Sequence, residues 1–146
     1  MNEKEIYSAL NRFLSIIKDE KLTWYLEGSV NLFVQGLPVE PNDIDITTTP
    51  ESLERFRRIL GILVTKDFYI KDKGAYLLKA SIEDIEFEIA VYEDRKNTSV
   101  KTIKNVIWKG LILPTQPLPV ALRFYKRIQR HDKVKLIQNF LDENTL

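Results

Sequence analysis

The chain has 146 residues and no cysteine, which excludes disulfide bonds and every metal site built on thiolates. A reducing cytoplasm is therefore the expected compartment. Histidine is nearly absent too, with His131 alone, and no serine, cysteine or acidic motif frames it as a catalytic triad or a zinc ligand. We interpret His131 as a loop residue without a catalytic role.

Long apolar segments are also missing. No apolar run approaches the length of a transmembrane helix, and the charged residues 1–5 lack the pattern of a signal peptide, so we expect no membrane contact. There is no internal repeat, low-complexity tract or domain-scale linker. Because 44% of the residues are hydrophobic, the chain can bury a core of its own. We expect a single domain over residues 1–146.

Charge is distributed unevenly although the net charge is only +1. Residues 1–94 hold 11 basic and 18 acidic side chains, whereas residues 95–146 hold 11 and 3. One interpretation is a solvated basic face, and the other is a cationic wall over a ligand that carries phosphate. Extended nucleic-acid binding is disfavoured, because the total charge is near neutral and no exposed aromatic run accompanies the basic residues.

Hydrophobic spacing predicts a mixed α/β fold. The predicted helices cover residues 3–19, 30–35, 50–60, 118–128 and 134–141. The predicted strands cover residues 24–26, 43–47, 75–81, 85–92 and 106–113. Residues 62–64 could extend a helix or start a strand. Strands mixed with helices, without a regular βαβ repeat, indicate an α/β sandwich with a mixed sheet. We expect a core over residues 1–115 and a pair of C-terminal helices over residues 116–146.

Two helix boundaries carry recognisable signals. A Thr-x-x-Glu capping box from Thr48 to Glu51, with a proline in the first turn, predicts the start of the helix over residues 50–60. Gly61 is its predicted end. Asp132 is a candidate N-cap of the last helix.

The most specific signal begins with Gly28 and Ser29. Residues 24–26 form an apolar strand-like run that ends at this pair, and residues 30–35 can form about two helical turns. Backbone N–H groups at a helix start attract phosphate, Gly28 allows close backbone approach, and the Ser29 hydroxyl adds a donor. The ordinary alternative is a turn glycine with positive φ followed by an N-cap serine.

Asp43 and Asp45 follow this pair, one residue apart on a predicted strand. The period of two places both carboxylates on one face of the sheet and Ile44 and Ile46 on the other. Two neighbouring anions repel each other, so a cation bound between them is the simplest explanation for this pair of aspartates. Each residue alone has an ordinary explanation, but the combination with the Gly-Ser turn favours a binding site.

Residues 26–46 resemble the signature of the nucleotidyltransferase superfamily typified by DNA polymerase β, and in particular its minimal single-domain members. That signature is a Gly-Ser or Gly-Gly turn, a helix-sized gap, an Asp-hydrophobic-Asp strand and a third acid on a later strand. Here the gap is near the long end. The resemblance implies a nucleotidyltransferase-like mixed sheet flanked by helices, a two-metal Mg²⁺ site, and a nucleoside triphosphate, most commonly ATP, as donor.

The third acid is to be chosen among Asp84, Glu86 and Glu88. Glu86 and Glu88 share one strand face, because the apolar residues between and around them alternate onto the other face, whereas Asp84 sits at a predicted turn. We choose Glu88, which lies deeper in its strand. Many relatives have aspartate here, and glutamate reaches one methylene further. An exposed strand residue is the ordinary alternative for either glutamate.

The resemblance also implies that a basic residue of a C-terminal helix touches the triphosphate. On a helix starting near Pro119, Tyr125 and Ile128 would face the core, while Lys126 and Arg130, four residues apart, would share the exposed side. We select Lys126 and Arg130 as candidates. A solvated helix face is the alternative for each.

These features together predict transfer of a nucleoside monophosphate, AMP from ATP, to a hydroxyl on a protein or small molecule, with release of pyrophosphate. The predicted catalytic and metal-binding residues are Asp43, Asp45 and Glu88, and the predicted nucleotide-binding residues are Gly28, Ser29, Lys126 and Arg130. A partner protein or a second copy could complete the cleft, because the chain has little room for an acceptor domain. The alternatives are a non-catalytic nucleotide- or partner-binding module, such as an antitoxin-like protein, and an RNA-binding protein that uses residues 95–135.

Overall fold

A computed structural model describes residues 1–95 and 100–144. Within these ranges five α-helices flank a single sheet of seven strands. The helices are α1 (Glu3–Ile17), α2 (Gly28–Val34), α3 (Pro50–Leu60), α4 (Leu118–Arg127) and α5 (His131–Glu143). The strands are β1 (Trp24–Glu27), β2 (Ile44–Thr48), β3 (Val64–Ile70), β4 (Ala75–Ile82), β5 (Ile85–Tyr92), β6 (Lys104–Trp108) and β7 (Leu111–Thr115). Lys96, part of the predicted basic face, lies outside the described residues.

The strand order is β3-β4-β5-β2-β1-β7-β6. β2 and β5 are parallel, as are β1 and β7, and the other neighbours are antiparallel. The mixed sheet flanked by helices confirms the predicted fold class. None of the described helices has the length and apolar character required to cross a bilayer.

The main core lies between one face of the central strands and helices α1 and α3. Ile44 and Ile46 of β2 are buried there with Phe87 of β5. The ring of Phe13 in α1 lies between aromatic neighbours, with centroid distances of 5.0 Å to Phe87 and 6.0 Å to Phe56 of α3. Burial of one such ring stabilises the fold by roughly 1.5–3 kcal/mol. Because strand side chains alternate, the residues between these apolar positions face the opposite side of the sheet.

A second buried cluster fixes the C-terminal helices against α2. It contains Leu32 of α2, Leu37, Leu118 and Leu122 of α4, and Ile137 of α5. The α4–α5 pair is therefore held beside the turn that contains Gly28, which places the basic end of the chain next to the acidic strands.

The bounds predicted for α3 are confirmed, but the predicted capping residue is wrong. The N-cap is Thr49, whose hydroxyl oxygen accepts from the backbone N–H of Ser52 at 3.2 Å. Thr48 ends β2 instead, and its hydroxyl donates to the carbonyl of Thr23 at 2.6 Å. Pairing with β1 keeps Thr48 extended, so the cap shifts by one residue.

Two parts of the sheet differ from the prediction. β3 is absent from it, since this edge strand is exposed on both faces and shows no alternation of apolar residues. The predicted strand over residues 106–113 is a hairpin, in which β6 and β7 are joined by Lys109 and Gly110 with φ of 50° and 82°. For residues 62–64 the sequence allowed either an extension of the helix or the start of a strand. The structure has a short 3-10 turn over Gly61–Leu63, and β3 begins at the next residue.

Candidate functional site

Three carboxylates converge at the centre of the sheet. Asp45 on β2 is in register with Glu88 on the parallel strand β5, and Asp43 immediately precedes β2. One oxygen of each side chain lies within 4.8 Å of the others. All three side chains are partly buried, so the site is neither sealed in the core nor fully open to water.

Burial and mutual repulsion raise the pKa of each carboxyl group. The pKa of Asp45 rises to about 7, first through desolvation and then through the charges of Asp43 and Glu88. Desolvation also raises the pKa of Asp43, with Glu86 adding to the rise and Lys79 opposing it. Desolvation is likewise the main cause of the raised pKa of Glu88. A divalent cation would offset this repulsion, and carboxylate oxygens are the ligands that Mg²⁺ prefers, so the donor set fits the ion.

Glu88 rather than Glu86 lies with the aspartate pair. Glu86 is on the same face of β5 but is exposed, and its carboxylate lies 3.8 Å from the ammonium of Lys79 on β4. The alternation of side chains and the depth in the strand therefore predict the right glutamate for this position. Its catalytic role stays a prediction.

Gly28 is required at its position for two reasons. Its φ is +67°, a conformation that residues with a side chain rarely adopt. A Cβ atom at this point would also lie 2.4 Å from Oδ2 of Asp45. The interpretation of Gly28 as a turn glycine with positive φ is confirmed, but Ser29 is not an N-cap, because α2 begins at Gly28 and its N-cap is Glu27. The contact of Gly28 with phosphate stays a prediction.

Ser29 contacts a residue that the sequence interpretation does not select. The ammonium of Lys133, in the first turn of α5, donates to the Ser29 hydroxyl at 3.3 Å. Lys133 is partly buried, and no carboxylate of the described residues lies within ion-pair distance of it. Nothing in the sequence distinguishes Lys133 from its basic neighbours, because it is the docking of α5 beside α2 that brings it to Ser29.

Arg130 and Lys126 are placed differently by the structure. A cavity of about 400 Å³ is lined by the carboxylates, Gly28 and Arg130, whereas Lys126 is exposed and does not line it. The expectation that Lys126 and Arg130 share a helix face is wrong, because α4 ends at Arg127 and Gln129 has φ of 59°. Arg130 is the residue before α5 and donates to Asp132 at 3.2 Å.

Two further details of this junction correct the prediction. Asp132 lies inside the first turn of α5 and is not its N-cap, which is Arg130. Ile128 is 47% exposed and lines the cavity, whereas Tyr125 is buried as expected. Burial, and next the charge of Glu27, raise the pKa of Tyr125 to about 12. The end of α4 thus offers an apolar wall above the carboxylates.

Glu27 is a buried acid that the sequence interpretation misses. It is in register with Asp45 across β1 and β2, and the Thr47 hydroxyl donates to its carboxylate at 2.8 Å. With Glu88, these acids form a row across three adjacent strands, continued on β4 by Lys79. The signal was available in the sequence, since Glu27 ends an apolar strand immediately before Gly28.

A buried polar network connects this row to the start of α4. The Gln116 side chain donates to Glu27 at 3.4 Å. The backbone of Gln116 makes two bonds with the Asn31 side chain, one accepted and one donated, each of 3.0 Å. Because buried polar groups are costly when they lose their partners, the network fixes the approach to α4 relative to α2.

Comparison with known proteins identifies relatives by structure. No family model matches the chain, and no curated protein matches its sequence. A protein from Thermotoga maritima, described as a proposed nucleotidyltransferase, shares 26% identity over 99% of this chain and 97% of its own, with a TM-score of 0.77. A lincosamide antibiotic adenylyltransferase, solved with lincomycin, shares 16% identity over 94% of this chain and 97% of its own, with a TM-score of 0.64.

A third similar structure is ANT(2'')-Ia in complex with adenylyl-2''-tobramycin. It shares 13% identity over 96% of this chain and 90% of its own, with a TM-score of 0.62. The three matches extend over nearly the whole chain. They confirm the resemblance that the Gly-Ser and Asp-x-Asp motifs indicated.

Proposed function

We propose that this chain, whose fold is that of the nucleotidyltransferases, transfers AMP from ATP to a hydroxyl group of a protein or small molecule and releases pyrophosphate. The proposal rests on the convergence of Asp43, Asp45 and Glu88, with carboxylate oxygens within 4.8 Å of one another beside Gly28. The choice of AMP is supported by the similarity to a lincosamide antibiotic adenylyltransferase and to ANT(2'')-Ia, whose structure contains adenylyl-2''-tobramycin.

The carboxylates would hold Mg²⁺ in a two-metal arrangement. Asp43 and Asp45 are the proposed ligands of one ion, and all three acids share the other. When bound, Mg²⁺ supplies neutralisation of phosphate charge and a lower pKa for the acceptor hydroxyl.

The residues around the acids would bind and orient the triphosphate. Because Gly28 has no Cβ, the Asp45 carboxylate can lie directly against the turn, and the backbone of this turn is the proposed contact for phosphate. The Ser29 hydroxyl and the Lys133 ammonium, 3.3 Å apart, can both donate to non-bridging phosphate oxygens. Arg130, which lines the cavity and pairs with Asp132, is the proposed basic residue from the C-terminal helices that contacts the triphosphate.

The transfer itself is a substitution at the α-phosphorus. The acceptor oxygen forms a bond to phosphorus, and the bond from phosphorus to the bridging oxygen breaks, with its electron pair leaving on pyrophosphate. The hydroxyl proton passes to a carboxylate oxygen, for which we propose Glu88.

The binding-only alternative depended on a misplaced Glu88. The structure sets Glu88 in register with Asp45, so this argument against catalysis is removed. We therefore favour the enzyme over a non-catalytic module.

The test is transfer of label from α-³²P-ATP with Mg²⁺ to an acceptor in cell extract, measured together with pyrophosphate release. Glu88→Gln should retain nucleotide binding and lose about a thousandfold or more of the rate, because it removes charge needed only for the chemistry. Glu86→Gln is the matched control, on the same strand face but outside the cluster, and should be nearly as active as wild type. Equal activity of the two variants would contradict the assignment. If wild type binds Mg²⁺-ATP but neither labels an acceptor nor releases pyrophosphate, the binding module is the better proposal.

A further inference from the structure

The strand order divides the cavity into two sides. The carboxylates stand on the neighbouring strands β2 and β5, while Gly28 follows β1 on one side and Lys73 precedes β4 on the other. With strands about 4.8 Å apart, β1 and β4 are separated by roughly 14 Å. Both Gly28 and Lys73 line the same cavity. They therefore mark its opposite ends, with the acids between them.

The reaction geometry assigns a role to each side. In nucleotidyl transfer the entering and leaving oxygens lie roughly in line on opposite sides of the phosphorus. Under the proposed function, the pyrophosphate end lies toward Ser29 and Lys133. The acceptor hydroxyl must then enter from the side of β5 and β4. The cavity on that side is lined by Ala90, Tyr92 and Lys73.

The chemistry of this acceptor side is cationic and aromatic. None of the described acids that line the cavity lies on the β4 side of Glu88. Lys73 is exposed and forms no ion pair with the described part of the chain, so its ammonium can reach a ligand in the cavity. Tyr92 is partly buried and contributes a ring to the same wall. A polyamine would meet a like charge here, whereas an anionic compound would meet an opposite one.

We propose that the acceptor carries an anionic group, a phosphate or a carboxylate, in addition to its reactive hydroxyl, and that Lys73 binds this group beside the ring of Tyr92. The inference rests on the proposed function, since the in-line argument requires a triphosphate on the Gly28 side. It names the class of acceptor that the same site would select.

The local structure supplies a matched control for Lys73. A short 3-10 turn over Lys71–Lys73 ends at Gly74, which has φ of 56°. The Gly74 carbonyl accepts from the backbone N–H of Glu93 at 2.9 Å, so the turn is tied to the end of β5. Lys71 belongs to this turn and is equally exposed, but it does not line the cavity. Neutralising Lys71 thus changes the net charge by the same amount at a neighbouring position.

The experiment measures binding of hydroxyl compounds to the protein loaded with Mg²⁺ and α,β-methylene-ATP, an analogue that cannot transfer its nucleotide. The anionic probes are glycerol 3-phosphate, ribose 5-phosphate and 3-hydroxybutyrate, and the matched uncharged probes are glycerol, ribose and methyl 3-hydroxybutyrate. For at least one pair of probes, the anionic compound should bind more tightly than the uncharged one. This preference should be seen both in wild type and in Lys71→Gln. Lys73→Gln should bind that probe about tenfold more weakly, because one charge-assisted contact is lost.

Three results would overturn the proposal: no anionic probe binds the loaded protein, glycerol and ribose bind as well as their phosphates, or Lys73→Gln binds like Lys71→Gln. Failure of the proposed function is seen separately, either as failure of the analogue itself to bind or as binding of Mg²⁺-ATP without transfer of label or release of pyrophosphate. The charge of the labelled product from extract provides a second measurement. A product whose acceptor part is a polyamine would also overturn the inference.

Discussion

The acidic and basic halves of the site are built by different means. The acids stand on adjacent strands, where the registers of β1, β2 and β5 align Glu27, Asp45 and Glu88 side by side. The cations come from irregular segments and helix ends, with Lys133 in the first turn of α5 and Arg130 just before it. Backbone hydrogen bonding therefore fixes the acids, whereas the docking of a helical pair and long flexible side chains place the cations. We expect substitutions of the acids to have large effects on binding and activity, and substitutions of the cations to have smaller ones.

The largest expected effect is loss of metal-dependent nucleotide binding in Asp45→Asn. With ligand at a hundred times its Kd, wild type should gain about 2.7 kcal/mol of stability from Mg²⁺-ATP. The variant should lose this gain, seen as an unchanged melting temperature, while its free form is at least as stable because repulsion is relieved. Asp84→Asn, on the exposed β4–β5 turn, is the control and should keep the gain. A gain in Asp45→Asn as large as in wild type would place the nucleotide elsewhere.

Comparable in size is the effect of Gly28→Ala on folding stability. The added methyl group must displace the Asp45 carboxylate and also strains a backbone with φ of +67°. We expect a loss of about 2–4 kcal/mol in urea unfolding, of which roughly 1–2 kcal/mol is the backbone cost. Gly110→Ala isolates that cost, because Gly110 has φ of +82° with no neighbouring atom within 4 Å of the new methyl group. Equal losses in the two variants would show that Asp45 moves aside freely.

A smaller effect should appear in the pH dependence of the metal-free protein. Since the pKa of Asp45 is about 7 in the folded state against an ordinary 3.8, the folded chain binds this proton more tightly than the unfolded chain does. Stability should therefore fall as pH rises from about 4 to about 7. The full shift would correspond to roughly 4 kcal/mol, and solvent screening reduces our expectation to about 1–2 kcal/mol. In Asp45→Asn this slope should flatten, whereas an identical slope would assign it to other groups.

The smallest effect separates two lysines of the basic half. Lys133→Ala should weaken Mg²⁺-ATP binding about tenfold, or roughly 1.4 kcal/mol, with a lower sensitivity to salt. Lys126→Ala should change the affinity less than about twofold, because its side chain is exposed, whereas Lys133 is partly buried and donates to the Ser29 hydroxyl. Titration calorimetry at two salt concentrations measures both quantities. An equal loss in both variants would restore the sequence-based choice of Lys126.

Sequence reasoning succeeds where a backbone period determines the outcome. Alternation on a strand sets which face a side chain occupies, so it places Asp45 and Glu88 together and leaves Phe87 in the core. Conformational requirements are equally readable at Gly28, because a positive φ beside a close neighbour admits only glycine. The central strands β1, β2, β4 and β5 and the helices that cover them follow from the same patterns.

The remaining features depend on tertiary contacts that no local pattern encodes. The end of α4 is set by Gln129, which adopts φ of 59° without being a glycine, and the position of Lys133 follows from the packing of α5. Edge strand β3 has too few buried side chains to show a period. The pairing of Glu27 with Asp45 requires the register of two strands that the sequence does not specify.

The parallel pairing of β2 with β5 also has a kinetic consequence. These strands are separated along the chain by α3, β3 and β4, so their contact requires closure of a long loop. This closure contributes to the barrier to folding, whereas we expect the side-chain packing that brings the Asp45 and Glu88 carboxylates within reach of one cation to be completed after that barrier. A cation held between them then stabilises the native state without stabilising the transition state. Mg²⁺ should therefore lengthen the lifetime of the folded chain by slowing its unfolding, and leave the rate of folding unchanged.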